Sequence, residues 1–233
     1  IELAAEVNQG MPLYAVHRLS EILNGCGKPI KDSCILLMGV TFKKNVEDTR
    51  NSPALELMQI LLNRGAKLFY SDFDIEYGGG KADRVFKIIK ELKEAGTPIH
   101  EIAFQMHVEG RDFVDPSARL QKIQVLKAQI ERYREIGINV IVPEMDLNMA
   151  GITGDQNKRF NIQAQIEHDI ILALLESGVT DINHFGGTDK LNWKQDASLG
   201  GSPDANPTPF TDTGALKPNY FAAERAIMIF LSK

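Results

Sequence analysis

The chain has 233 residues, of which 43% are hydrophobic and 24% charged, and its formal net charge at pH 7 is −5. This length and composition allow a sizeable core, in one α/β domain or two small ones, and exclude a disordered chain. The acidic balance, without clusters of Lys and Arg, argues against a nucleic-acid binder, because neutralising phosphates requires clustered positive charge. Two cysteines are too few for a disulfide framework.

The chain carries no recognisable signal for a membrane or for export. No apolar run approaches the roughly 20 residues of a membrane span. The first residues lack the basic-then-apolar pattern of a signal peptide. We therefore predict a soluble protein of unknown location, cytoplasmic if it is produced recombinantly, with neither a membrane nor a nucleic acid as partner.

The predicted elements alternate between helices and short apolar strands. A first helix covers residues 1–24 and is expected to break near Gly10 and Pro12. Strands are predicted at residues 33–42, 67–72, 102–108, 138–147 and 181–185. Further helices are predicted at residues 54–63, 81–94, 117–136, 160–177 and 217–231. Ser52 precedes a proline and is predicted to cap the second helix.

A glycine separates four of these helices from the strand that follows. Gly65, Gly96, Gly137 and Gly178 are placed to adopt the left-handed conformation that ends a helix. The regular order indicates five βα units with parallel strands and right-handed crossovers. The alternation of strands and helices predicts an α/β fold with one fused core. Five strands do not close an eight-stranded barrel, so a complete barrel is excluded. The sheet is either a partial TIM-barrel-like half-barrel or a doubly wound, Rossmann-like sheet.

The strand at residues 138–147 (INVIVPEMDL) is the strongest functional signal. Its apolar start predicts a buried strand, and Glu144 and Asp146 share one face at its end because strand side chains repeat every two residues. Carboxylates at the carboxyl end of such a strand are typical of active sites in α/β proteins. The alternative is that Glu144 is simply a solvated residue at a strand end.

From about residue 67 onward the chain resembles the C-terminal half of family 10 endo-β-1,4-xylanases, which are retaining glycosidases on a (β/α)8 barrel. Five blocks in the family's order carry this resemblance. They are residues 67–76 (KLFYSDFDIE), 102–107 (IAFQMH), 142–149 (VPEMDLNM), 185–193 (FGGTDKLNW) and 217–223 (KPNYFAA).

The resemblance implies roles for six residues. Glu144 matches the nucleophile, His107 the histidine that hydrogen-bonds to it, and Asp146 the carboxylate that orients this histidine. Gln105 matches a sugar contact, Trp193 matches one wall of the cleft, and Phe185 stands where the family has tryptophan. Imidazole and two carboxylates also form known metal triads, but the resemblance accounts for this cluster without a metal.

The first part of the chain resembles the C-terminal UDP-binding domain of UDP-sugar dehydrogenases. The resemblance is carried by residues 5–8 (AEVN), 39–50 (GVTFKKNVEDTR) and 51–54 (NSPA). It implies that Phe42 and Lys43 contact a UDP-sugar. No Gly-x-Gly-x-x-Gly follows the first strand, so we predict no dinucleotide cofactor.

Together the two resemblances predict a chimera, engineered or natural, with residues 1–66 from one family and residues 67–233 from the other. Retaining hydrolysis needs two carboxyl groups about 5–5.5 Å apart. The Asn-Glu pair that supplies the family's acid/base at a strand end is absent. Glu47, on the loop after the first strand, is the only acidic residue placed even roughly at that position. We therefore predict a folding scaffold without efficient catalysis. The alternatives are a residual xylanase that uses Glu144 and a weak UDP-binding module.

An open half-barrel would expose apolar interior residues. Such a surface favours association, so we predict a homodimer.

Overall fold

The computed structural model describes residues 2–35, 52–97 and 99–233. Five β-strands alternate with α-helices along these residues. The strands are β1 (Cys34–Ile35), β2 (Lys67–Phe73), β3 (Ile99–Glu109), β4 (Asn139–Asn148) and β5 (Ile182–His184). The helices are α1 (Glu2–Gly25), α2 (Pro53–Asn63), α3 (Gly80–Glu94), α4 (Pro116–Glu135), α5 (Gln156–Glu176) and α6 (Pro218–Leu231).

Most predicted elements are present with ends that differ by a few residues. Of the strand predicted at residues 33–42, the described part is β1, and residues 36–51 lie outside the described residues. The predicted break of the first helix is wrong, since α1 continues through Pro12. Val16, one turn later, is buried and packs in one cluster with Leu61 of α2. The packing of α1 on α2 thus continues past the proline, although a proline inside a helix removes one hydrogen bond.

The helix ends follow the capping rules on which the predictions rest. The Ser52 side chain accepts a hydrogen bond from the Ala54 N–H at 3.3 Å, as predicted. Asp115 and Asp155 cap α4 and α5 in the same manner. The four glycines predicted to be left-handed have φ values of 80°, 78°, 70° and 81° at Gly65, Gly96, Gly137 and Gly178. These glycines turn the chain directly from each helix into the next strand.

The sheet has the strand order β1-β2-β3-β4-β5. The pairs β1–β2 and β4–β5 are parallel. A doubly wound sheet needs a strand order that reverses, so the Rossmann-like alternative is wrong. Strands that neighbour one another in chain order and are joined through helices are the arrangement of a partial (β/α)8 barrel.

The chain divides into two compact units. The first contains residues up to Tyr70 together with Lys93–Glu101, and the second contains Ser71–Leu92 and Ile102–Lys233. Val16, Ile30, Leu61 and Ala66 form a core cluster in the first unit. In the second unit, fully buried side chains include Phe104, Met106, Leu126, Ile130, Tyr133 and Val142. The predicted boundary between segments from two families, at residues 66 and 67, stays a prediction.

No helix in the described ranges combines the length and apolarity that crossing a membrane would require.

Candidate active site

Strands β3 and β4 bring three predicted site residues together in the second unit. Gln105, His107 and Glu109 alternate with buried residues along β3 and lie on its partly exposed face. Glu144 and Asp146 lie on one face of β4, and both approach His107. The two-residue repeat of a strand therefore places the carboxylates beside the imidazole of the neighbouring strand.

The imidazole of His107 lies between the two carboxylates. Its Nε2 is 3.4 Å from Glu144 Oε2, and its Nδ1 is 3.1 Å from Asp146 Oδ2. The 3.1 Å contact at Nδ1 is an ion-pair contact and not a hydrogen bond. The Asp146 side chain is 0% exposed, whereas that of Glu144 is 24% exposed. Glu144 is thus the carboxylate that a bound molecule can reach.

The electrostatics of the cluster favour a protonated His107. Burial alone would lower its pKa, but the contact with Asp146 and the charges of Asp146 and Glu144 outweigh that effect and raise the pKa above 6.5. The charge of Lys194 acts in the opposite direction. A cationic imidazole attracts the carboxylate of Glu144, which lies 3.4 Å from its Nε2.

Two aromatic rings flank the imidazole. Phe185 and Trp193 present edge-to-face contacts, with ring centroids 5.6 and 5.4 Å from that of His107. Phe185 follows β5, and its N–H donates to Met145 O of β4 at 2.8 Å. Both rings are 38% exposed. The structure thus assembles both aromatic residues predicted from the xylanase resemblance beside His107.

Gln105, the predicted sugar contact, lies two residues before His107. Its Nε2 donates to Ser71 Oγ of β2 at 3.1 Å. The hydrogen bond fixes the amide along the partly exposed face of β3.

Sequence reasoning missed a second layer of polar residues around the cluster. Asn192 donates from Nδ2 to Asp146 Oδ2 at 3.3 Å and to Phe185 O at 2.6 Å. Lys194 donates to Glu109 at 2.7 Å and lies 4.8 Å above the Trp193 ring. Both residues are sequence neighbours of Trp193, and this position beside a predicted cleft residue could have pointed to them.

Glu76, just beyond β2, is a second missed residue. Its side chain is buried, and its Oε2 accepts the Ile75 N–H at 2.9 Å. Burial raises its pKa from 4.5 to about 7, and the charge of His107 partly offsets this rise. The carboxyl is enclosed, so a substrate cannot reach it, and we assign it no chemical step.

Three residues named in the sequence analysis lie outside the described residues. They are Phe42 and Lys43, predicted to bind a nucleotide, and Glu47, the roughly placed acid. Their roles stay predictions. Within the described residues, no group of three or more His, Cys, Asp or Glu side chains is arranged to hold a metal ion.

A cavity of about 870 Å³ lies away from the cluster, on the helices of the second unit. Its lining includes Arg119, His168, Asp169, Phe221 and Arg225, and none of its residues belongs to the strand-end cluster. We therefore place the candidate site at the ends of β3 and β4, where the reactive groups converge, and not at this cavity.

Comparison with known proteins identifies a family for most of the chain. Residues 61–226 match the model of glycosyl hydrolase family 10. Endo-1,4-beta-xylanase B of Thermotoga neapolitana is 33% identical over 131 residues, which cover 55% of this chain and 35% of that protein. The chain thus spans well under two thirds of this relative.

Solved structures show the same fold. An intracellular xylanase from Thermoanaerobacterium saccharolyticum, in complex with xylotetraose, superposes with a TM-score of 0.60 at 26% identity over 75% of this chain and 52% of that one. Xylanase 10B of Thermotoga maritima gives a TM-score of 0.65 at 24% identity, covering 82% of this chain and 59% of that one. Residues from Lys67 onward are fewer than 82% of the chain, so this likeness reaches into the part before Lys67. These matches give no support to a dehydrogenase-like first segment or to a chimera.

Proposed function

Because the chain belongs to glycosyl hydrolase family 10, we propose that it carries the nucleophile side of a retaining glycoside hydrolase acting on β-1,4-linked xylan. The observation that carries the proposal is the partly exposed Glu144 carboxylate, whose Oε2 is 3.4 Å from His107 Nε2. The similarity to xylanases supports the same substrate class. These findings favour the enzyme hypothesis over that of a folding scaffold.

The proposed chemistry begins with attack by Glu144 on the anomeric carbon of the sugar. The bond from that carbon to the leaving oxygen breaks, and a covalent glycosyl-enzyme forms. Water then attacks the same carbon and loses one proton to solvent, and the bond from that carbon to the Glu144 oxygen breaks, which releases the sugar and regenerates the carboxylate. His107 holds the Glu144 anion in place between turnovers, and the buried Asp146 keeps the imidazole charged.

The aromatic rings of Phe185 and Trp193 form the proposed wall of the sugar site. Their exposed parts present apolar surface beside His107, which in turn contacts Glu144. Pyranose rings carry apolar C–H faces that pack on aromatic side chains, so the wall positions the anomeric carbon near Glu144.

Departure of a sugar alkoxide also requires a proton from a second carboxyl group. Within the described part of the site, Asp146 is enclosed and Glu109 is paired with Lys194. Neither is free to protonate a leaving oxygen. A general acid contributes roughly 10² to 10⁴ to such rates, and Glu47, the acidic residue predicted near that place, lies outside the described residues.

A substrate with a good leaving group tests the nucleophile alone, because departure of that group needs no general acid. We propose incubating the chain with a 2,4-dinitrophenyl 2-deoxy-2-fluoro-xylobioside. Dinitrophenolate leaves with the bonding electron pair and needs no proton, while fluorine at C2 slows the second step so that the covalent intermediate accumulates. Intact-mass spectrometry should show one added fluoro-xylobiosyl group per chain, and peptide mapping should place it on Glu144.

Glu144→Gln should remain unlabelled, because an amide does not attack the anomeric carbon. Glu135→Gln, at an exposed position of α4, is the matched control and should label like the unmodified chain. An unmodified chain that takes up no label, or takes it up on another residue, would contradict the proposal.

The homodimer and weak UDP binding at Phe42 and Lys43 stay predictions from the sequence alone.

A further inference from the structure

Asn192 occupies a buried position beside the cluster of His107, Glu144 and Asp146. Its side chain is enclosed, and it immediately precedes the exposed Trp193. Its Nδ2 donates to Phe185 O and to Asp146 Oδ2. Its Oδ1 accepts the Lys194 N–H at 2.8 Å. One amide group thus joins the end of β5, the loop that carries Trp193, and the carboxylate on β4.

An amide matches these three partners in a way that other side chains do not. The amide nitrogen carries two N–H donors, which serve the Phe185 carbonyl and the Asp146 carboxylate. The amide oxygen accepts the backbone N–H of Lys194. A carboxylate at position 192 would place oxygen against both acceptors. An apolar side chain of similar size would leave Asp146 without this donor.

Asp146 needs such a donor because it is enclosed. Its Oδ2 is shared between His107 Nδ1 at 3.1 Å and Asn192 Nδ2 at 3.3 Å. Its Oδ1 has no hydrogen-bond partner within the described residues. The donor at Asn192 holds the orientation of this enclosed carboxylate, and an Asp146 side chain that turned away would no longer face the imidazole of His107.

We propose that Asn192 is a positioning residue. It holds Asp146 in place beside His107, and it fixes Phe185 and Trp193 against the same imidazole. Asn192 touches no substrate. It acts on Glu144 through Asp146 and His107. The catalytic meaning of this role rests on the proposed glycoside hydrolase function, but its test requires no turnover.

Trp193 provides the readout, since it is the chain's single tryptophan. Its ring lies 5.4 Å from that of His107, and a protonated imidazole quenches indole fluorescence at such range. A pH titration of the emission therefore reports the protonation of His107. We expect a midpoint above the ordinary histidine value in the unmodified chain, which follows from the facing carboxylates Asp146 and Glu144 against the opposing charge of Lys194.

Asn192→Leu should lower this midpoint by about one pH unit, since hydrogen bonds to charged groups contribute about 1.5–3 kcal/mol and one pKa unit corresponds to about 1.4 kcal/mol. Asn183→Leu is the matched control. Asn183 is exposed, bonds to Asp181, and should leave the midpoint unchanged. Far-ultraviolet circular dichroism verifies that each variant is folded.

A double-mutant cycle distinguishes positioning from a merely structural role. If Asn192 acts through Asp146, then Asp146→Asn should lower the midpoint by itself. The double variant should shift no further than Asp146→Asn alone. An unchanged midpoint in Asn192→Leu, or fully additive shifts, would overturn the proposal.

A measurement on the unmodified chain covers the case in which Asn192→Leu does not fold. The Asn192 side-chain N–H₂ resonances should move with the same midpoint as the His107 ring, and resonances that stay constant would overturn the proposal. Labelling of Glu144 by the fluoro-sugar is independent of these readouts, so failure of this proposal and failure of the proposed function remain distinguishable.

Discussion

Glu76 shows how the surroundings of a single residue change its chemistry. It ends the predicted block 67–76, and nothing in its local sequence separates it from a solvated carboxylate. In the fold it is 2% exposed, and desolvation raises its pKa from 4.5 to about 7. The folded chain therefore holds a proton on Glu76 at pH values where the unfolded chain has released it.

The free energy of unfolding should fall as pH rises between about 4.5 and 7, and Glu76 alone should account for up to about 3 kcal/mol of this fall. Above pH 7 Glu76 should cause no further loss of stability. Glu76→Gln should remove this part of the pH dependence, because the amide is neutral in both states. Urea unfolding at pH 5 and pH 8 measures the difference.

Glu131→Gln, at an exposed position of α4, serves as the control and should keep the slope of the unmodified chain. If the free energy of unfolding changed equally between pH 5 and pH 8 in the unmodified chain and in Glu76→Gln, the buried carboxyl would not titrate in this window.

At the scale of elements, the loop between β5 and α6 depends on one buried ion pair. Lys217, just before α6, donates from Nζ to both carboxylate oxygens of Asp189 at 3.2 and 3.1 Å, and to the carbonyls of Asn206 and Thr208. Burial lowers the pKa of Lys217 and raises that of Asp189, and each partner's charge opposes the other's shift. The pair joins the start of α6 to the loop that presents Trp193.

Lys217→Met should destabilise the chain by about 3–5 kcal/mol, because it leaves Asp189 as a buried carboxylate without its cation. Urea unfolding measures this loss. Lys190→Met changes the same residue type at an exposed neighbouring position and should shift the unfolding midpoint little. Combining Lys217→Met with Asp189→Asn should recover part of the loss, since no charge then remains buried. A stable Lys217→Met variant would show that the pair contributes little.

At the scale of the whole molecule, α6 exposes several large apolar side chains. Ala222 and Ala226 are buried, and α6 packs against α5. The exposed apolar side chains of α6 are Tyr220, Phe221, Ile227, Met228, Ile229 and Leu231. Exposed apolar patches favour association, and the homodimer predicted from an open half-barrel stays a prediction.

Sedimentation velocity tests the dimer directly. We expect a dimer at micromolar concentration and a monomer after Met228→Glu and Leu231→Glu are combined, because buried unpaired charges oppose association. The matched change Glu224→Gln, on the same helix, should leave the dimer intact. A monomer at every concentration of the unmodified chain would make the dimer prediction wrong.

Much of the fold could be predicted from local sequence because its causes are local. Apolar periodicity and capping residues such as Ser52 located the helices and strands, and Gly65 and Gly137 take the left-handed conformation that ends a helix. The two-residue repeat placed Glu144 and Asp146 on one face, and the xylanase-like blocks pointed to the family that residues 61–226 match.

Only the tertiary structure decided the strand order and the environment of each site residue. Local periodicity is the same in a half-barrel and in a doubly wound sheet, so pairing between distant segments had to choose between them. Asn192 and Asp146 are 46 residues apart and meet only because β4 and the loop after β5 are neighbours in space. Burial is a property of such long-range neighbours, which is why the sequence does not reveal that Asp146 is enclosed while Glu144 remains accessible.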